Sequence, residues 1–184
     1  TTFSVLQGHL SLSFSDCATG RLTYTFTDGT GRGGTVPLTR LTPSVDCTQA
    51  GGAGAEGDFG LSGNWYDATK SGQGFVVELN PSAKVLFFAW YTYAPGGQAL
   101  AAAGQRWYTG QAAYVPGARS IPLTLYETTG GLFDSAAPPP TTAMVGSGTL
   151  TFASCSAATL AFAFSGGTNI GQAGRIGLTR VGPV

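Results

Sequence analysis

Apolar and polar residues alternate with a period of two along several stretches of the chain. Leu, Phe and Tyr occupy every second position of 10–14, 22–26, 150–152 and 160–164, with Ser, Thr or Ala between them. This alternation is typical of strands that bury one face. Together with similar runs bounded by glycine-rich or proline-rich turns, it predicts strands in the C-terminal two thirds of the chain at 61–67, 73–79, 84–93, 98–108, 112–115, 119–127, 144–153, 158–165 and 173–181.

The two ends of the chain carry the same pattern. With Cys17 aligned on Cys155, Gly8 falls on Gly146, and the match continues to the end of the chain after a short insertion in the later copy. Self-similarity of this kind indicates an internal repeat. We therefore assign three segments: a partial repeat holding the last three strands of one copy at 1–47, a glycine-rich linker at 48–57 and a complete copy at 58–184. Because three strands bury little surface alone, we expect the partial repeat to dock on the complete copy or on another chain.

The strand pattern predicts an all-β fold. About eight short strands joined by short turns in the complete copy favour an antiparallel up-and-down β-barrel, to which the partial repeat adds three strands. A β-sandwich with the same number of strands is the alternative. The three prolines at 138–140 predict an extended, exposed connection before the strand near Met144, because proline has no amide hydrogen for an interior strand.

The three cysteines form no C-x-x-C pair and have no histidine cluster nearby, so the sequence predicts neither a zinc site nor any other metal site. The repeat predicts a disulfide between Cys17 and Cys47 within one copy. The same register puts the counterpart of Cys47 just beyond Val184, so we expect Cys155 to be unpaired in this chain. Two alternatives stay open: Cys155 as a buried free thiol, and a bridge between Cys47 and Cys155.

Composition narrows the classes of partner. Charged residues make up 10% of the chain, nine acidic and nine basic, with no net charge. We therefore expect no binding to nucleic acid or to an anionic membrane surface. A start at Thr1 without Met, together with the predicted disulfide, favours a mature or excised piece of an exported protein, either secreted and extracellular or periplasmic.

Four motifs of the complete copy resemble a repeat seen in exported bacterial proteins. They are Gly-x-Trp-Tyr-Asp at 63–67, Ser-Gly-x-Gly-Phe at 71–75, Trp-Tyr-Thr-Tyr at 90–93 and Gly-x-Leu-x-Phe-x-x-Cys at 148–155. The resemblance implies export and fold rather than an activity. The Gly-x-Trp opening is also similar to that of avidin and lipocalin barrels, but the residues that would hold biotin have no counterpart here, so biotin binding is not implied.

Aromatic residues crowd into the complete copy and are the strongest candidates for a binding site. They either fill the core or form an open aromatic face that binds a glycan, a peptide or a small apolar ligand. Polar neighbours would then supply hydrogen bonds. The predicted ligand-binding residues are Trp65, Tyr66, Asp67, Trp90, Tyr91, Tyr93, Gln105, Arg106 and Trp107.

A non-enzymatic, exported binding module without a cofactor is therefore the first functional hypothesis. The alternative is a structural or adhesion repeat of a larger secreted protein, with no small-molecule site, whose edge strands pair with another copy. A hydrolase using two of the carboxylates of Asp67, Glu78, Glu127 and Asp134 is the third. The single histidine, His9, lies in the partial repeat, where Ser147 is its counterpart, so we interpret it as a solvent-facing strand residue.

Overall fold

The chain divides into two compact units. The structure is a computed structural model that describes residues 5–40, 58–80, 83–96 and 101–181. The first unit is Thr1–Ala55 and the second is Glu56–Val184. The predicted linker at 48–57 lies outside the described residues. No helix in the described parts of the chain is long and apolar enough to cross a membrane.

The first unit contains a three-stranded antiparallel sheet in the order β1-β2-β3. Its strands are β1 Gly8–Phe14, β2 Thr19–Phe26 and β3 Gly33–Thr39. The β1–β2 turn is held by Asp16, whose carboxylate accepts backbone hydrogen bonds from Ala18 and Thr19. Asp28 closes the next turn through an ion pair with Arg32 at 2.7 Å. His9 is exposed on β1, as predicted.

The second unit is a closed barrel of eight antiparallel strands. Each strand pairs with the next in sequence, and the last returns to pair with the first. The predicted up-and-down barrel is therefore confirmed, and the β-sandwich alternative is wrong. The strands are β4 Gly63–Tyr66, β5 Gly74–Asn80, β6 Val85–Tyr93, β7 Gln105–Ala113, β8 Ser120–Thr129, β9 Thr141–Phe152, β10 Ala157–Phe164 and β11 Ala173–Arg180.

Large side chains fill the barrel interior. The largest that are fully buried are Trp65, Tyr108, Tyr114 and Phe88. Inward-facing residues alternate with outward-facing ones along each strand, as β6 shows with its regular succession of buried and more exposed positions. Side chains of the described residues thus form a hydrophobic core inside the barrel.

The region 98–113 differs from the sequence-based expectation. Two strands at 98–108 and 112–115 were expected, but the structure has one strand, Gln105–Ala113, preceded by a 3₁₀ turn at Ala101–Gly104. Gly110 does not interrupt the strand. A Cβ atom at Gly110 would lie 2.0 Å from the ring of Phe88 on β6, so the glycine makes room for that ring.

A buried polar cluster lies where β7 turns into β8. The Tyr114 hydroxyl donates to the Asp58 carboxylate, which also accepts from the Gly117 amide at 2.6 Å and pairs with Arg119 at 2.6 Å. These partners, the Tyr114 hydroxyl first, hold the pKa of Asp58 below its ordinary value. Burial, followed by the bond to Asp58, raises the pKa of Tyr114. The cluster is satisfied internally, so it stabilises the fold rather than offering a site.

The connection between β8 and β9 is exposed, as the three prolines predicted. Residues 132–140 are all solvent-exposed, and β9 begins directly after the last proline, at Thr141. Proline cannot donate to a strand ladder, which keeps this segment out of the barrel wall until pairing with β8 begins.

Candidate functional site

The nine predicted ligand-binding residues separate into inward-facing and outward-facing groups. Strand β6 makes the division clear, because Trp90 is 4% exposed while its neighbour Tyr91 is 52% exposed. Successive side chains of a strand point to opposite faces, so the two rings belong to different surfaces of the barrel wall.

The inward-facing tryptophans, Trp65 and Trp90, belong to the core. The Trp90 ring stacks on Phe75 with centroids 5.1 Å apart and meets Phe162 edge-on at 5.1 Å. The Trp65 indole N–H donates to the Leu61 carbonyl at 3.1 Å. Neither ring can contact a ligand at the surface without repacking the core, so the structure removes both from the predicted ligand face.

The outward-facing aromatic residues meet on the barrel surface. Tyr91 on β6 lies directly opposite Trp107 on β7, and Tyr93 lies opposite Gln105. Trp107 is 46% exposed. These side chains border a surface depression of about 450 Å³, here called the outer groove, which is lined by Gly72, Tyr91, Thr92, Tyr93, Gln105, Arg106 and Trp107. Five of the predicted residues are therefore brought together at one place.

The β4–β5 turn forms one wall of the outer groove. Gly72 has a left-handed backbone conformation with φ of 76°. A Cβ atom there would lie 2.4 Å from the Tyr93 hydroxyl oxygen, so only glycine lets the turn approach that hydroxyl so closely. The same turn is tied to β6 because the Thr92 hydroxyl donates to the Gln73 side-chain oxygen at 2.7 Å.

Asp67 organises this turn instead of lining the outer groove. Its carboxylate accepts from the Thr69 amide at 2.9 Å and from the Lys70 ammonium at 2.7 Å. These bonds, Lys70 first, lower the pKa of Asp67 to about 2. With Trp90 it borders a separate cleft of about 20 Å³, which has room for little more than one water molecule. Its predicted role as a polar anchor does not fit this position.

Arg106 gives the outer groove its positive charge. Its Nη1 donates to the carbonyls of Ala103 at 2.9 Å and Gln105 at 2.8 Å. Its Nε is buried and has no hydrogen-bond partner among the residues that the structure describes. A buried donor without a partner costs free energy, so this nitrogen is a locally unfavourable feature of the Arg106 side chain.

Tyr66 and Thr92 differ in their relation to the outer groove. Tyr66, at the end of β4, is exposed but is not part of the groove lining. Thr92 lines the groove, although its side chain is mostly buried, and the sequence analysis did not select it. Its position between Tyr91 and Tyr93 was the available signal.

None of the carboxylates considered for hydrolysis belongs to the groove lining, which among the described residues contains no carboxylate, histidine or cysteine. Glu127 instead accepts hydrogen bonds from the backbone and side chain of Thr168. Among residues 5–40, 58–80, 83–96 and 101–181, no group of three or more His, Cys, Asp or Glu side chains is placed to hold a metal ion.

The described residues that line the outer groove include no cysteine. Cys17 is disulfide-bonded. Cys47 lies outside the described residues, so the pairing of Cys17 with Cys47 stays a prediction. Cys155 is a free thiol on the surface, which contradicts the alternative of a buried thiol.

Searches with this chain against protein-family models, curated proteins and solved structures find no match. The resemblance to an exported bacterial repeat and the analogy to avidin therefore stay predictions. A function is therefore inferred from the residues and geometry of the outer groove.

Proposed function

We propose that the outer groove is the binding site of an exported, non-enzymatic module and that its ligand is a glycan. The observation that carries this proposal is the pair of exposed rings, Tyr91 and Trp107, placed side by side on adjacent strands. Exposed aromatic clusters of this kind mark interaction surfaces more often than isolated exposed rings do. Rings fixed on a barrel wall lose little conformational entropy when they bind.

A sugar matches both the apolar and the polar parts of the groove. The C–H faces of a pyranose stack on flat aromatic rings, while its hydroxyl groups need hydrogen-bond partners at the edge of the stack. Gln105 and Arg106 lie beside the rings and provide an amide and a guanidinium. The groove volume of about 450 Å³ also falls within the range of small-ligand sites, about 300–1,000 Å³.

The composition of the lining supports the proposal of binding without catalysis. Acid–base hydrolysis of a glycosidic bond needs two carboxyl groups flanking the bond. The described residues that line the groove include no carboxyl group. Export is consistent with the disulfide-bonded state of Cys17, because disulfides persist in oxidising compartments.

The fluorescence of Trp107 offers a direct test. Of the three tryptophans in the chain, Trp107 is exposed, whereas Trp65 and Trp90 are buried. Iodide should therefore quench Trp107 selectively. A panel of oligosaccharides is added, and a glycan that stacks in the groove should protect Trp107 from iodide and give saturable binding by calorimetry.

Three variants make the test specific. Trp107→Ala should weaken binding about tenfold or more, since it removes a central ring. Trp107→Phe should keep part of the affinity. Tyr66→Ala is the matched control, because Tyr66 is an exposed ring outside the groove, and it should bind like the parent chain. The proposal fails if no glycan protects Trp107, if only peptides do, or if Tyr66→Ala loses as much affinity as Trp107→Ala.

A further inference from the structure

The sheet β1–β3 reproduces the strand pairing of β9–β11, position by position. Both sheets place small residues and large apolar residues opposite one another in the same register. The coinciding pairs, with the first unit given first, are Gly8–Phe26 and Gly146–Phe164, Leu12–Leu22 and Leu150–Leu160, Gly20–Leu38 and Ala158–Leu178, and Leu22–Val36 and Leu160–Ile176. The internal repeat seen in the sequence is thus also a repeat of backbone geometry.

Burial differs sharply between the two sheets. Phe152 in β9 is 3% exposed, whereas its counterpart Phe14 in β1 is 71% exposed. Leu150 is buried, and its counterpart Leu12 is exposed. The same apolar pattern therefore forms a core face in one unit, whereas in the other it is exposed along β1 and half-buried along β2 and β3. Large apolar side chains exposed together along one strand, as on β1, indicate a further interaction surface.

The barrel shows what covers such a face. Strand β9 pairs with β8, where Ile121 lies opposite Leu150, and β11 pairs with β4, where Trp65 lies opposite Arg180. Five strands, β4–β8, thus supply both edge partners and the facing core. In the closed barrel these positions are already taken by β9–β11. A second closing sheet has no place in it.

We propose that β1–β3 are the closing strands of a second barrel, whose other five strands are a segment of the β4–β8 kind ahead of Thr1 in the same polypeptide. The shared register puts residue 1 in the place of residue 139, so the connection that joins β8 to β9 would join the new segment to β1. This inference does not depend on the outer groove or its ligand.

One residue sets a requirement on that segment. Leu10 stands where β9 has Gly148. A Cβ atom on Gly148 would already lie 3.2 Å from the side chain of Leu123 on β8. A whole leucine at this position would crowd a leucine at the position of Leu123, so we expect the cognate segment to carry a smaller residue there.

The experiment supplies the missing strands to the full chain. A second copy of residues 58–138, carrying Leu123→Ala, is fused directly ahead of Thr1. Amide hydrogen exchange is followed by mass spectrometry in peptides covering Gly8–Phe14 and Gly33–Thr39. Exchange in both strands should slow about tenfold or more relative to the parent chain and approach that of β9 and β11. The fusion should sediment as a monomer.

Two further fusions serve as controls. One keeps Leu123 in the added copy and should gain less protection, since Leu10 and Leu123 then compete for one space. The other adds Leu12→Asp, which places a charge in the new core and should abolish the gain. Unchanged exchange of β1 and β3 in the Leu123→Ala fusion would overturn the proposal. The proposal would also be overturned if β1 and β3 already exchange slowly in the parent chain and their protection increases with protein concentration. A second copy of the chain would then be the partner.

Discussion

Replacing Gly110 with alanine tests how tightly the barrel core is packed. The new Cβ would lie 2.0 Å from one ring atom of Phe88 and 2.5 Å from the next. A normal carbon contact is about 3.5 Å or more, so the ring must retreat by about 1.5 Å. Phe88 is 1% exposed and its ring lies 5.8 Å from that of Phe75, so the ring has little space to move into.

The expected cost of this change is that of overpacking, about 2–3 kcal/mol of the free energy of unfolding. For a barrel of this size the melting temperature should fall by about 6–15 °C. Denaturant unfolding followed by tryptophan fluorescence measures the effect. All three tryptophans lie in the second unit, so the signal reports the barrel alone.

Gly177→Ala is the matched control. Gly177 is also a strand glycine, on β11, but a Cβ there meets no atom within 4 Å. This variant should be as stable as the parent chain or more stable by up to about 1 kcal/mol. The double variant Gly110→Ala/Phe88→Leu should lose less free energy of unfolding than the two single variants lose together, because the smaller leucine side chain relieves the contact with the new methyl group. Equal unfolding midpoints for the two alanine variants would refute the packing argument.

Two other predictions follow from single residues. Because its hydrogen bonds lower the pKa of Asp58, the stability that its carboxylate contributes should be complete above its ordinary pKa and lost as pH falls through the lowered value. Asp58→Asn should therefore destabilise the barrel at pH 7, and its difference from the parent chain should shrink in acid, as measured by unfolding midpoints. Iodoacetamide without reductant should modify Cys155 alone, and Cys17 should react only after reduction, as read by peptide mass spectrometry.

Local alternation was sufficient to predict the strands that bury one face. The strand expected at 158–165 is Ala157–Phe164, and the one expected at 173–181 is Ala173–Arg180. A glycine inside a strand is difficult to interpret from sequence when the contact that requires it is made by another strand. Gly110 resembles a strand break in sequence, but it faces the Phe88 ring across the β6–β7 pair, a contact that local pattern does not contain.

The candidate site was predictable as a set of residues but not as a surface. Both faces of β6 carry aromatic rings, so alternation alone could separate Trp90 from Tyr91 but could not say which of them faces inward. Closure of the barrel decides this. The predicted polar residues also separate in the structure. Hydrogen bonds to Thr69 and Lys70 hold Asp67 in its own turn, whereas Gln105 and Arg106 line the groove.

The narrow contact between the first and last strands gives Trp65 a particular importance. Strands β4 and β11 share two residue pairs, whereas β8 and β9 share ten. Backbone hydrogen bonds therefore do little to seal the cylinder at this seam. Trp65 lies there, fully buried and packed edge-on against Phe152 at 5.5 Å. Its packing against Phe152 and its bond to the Leu61 carbonyl fix the inner side of β4 at this seam, which gives the tryptophan of the Gly-x-Trp motif an architectural role.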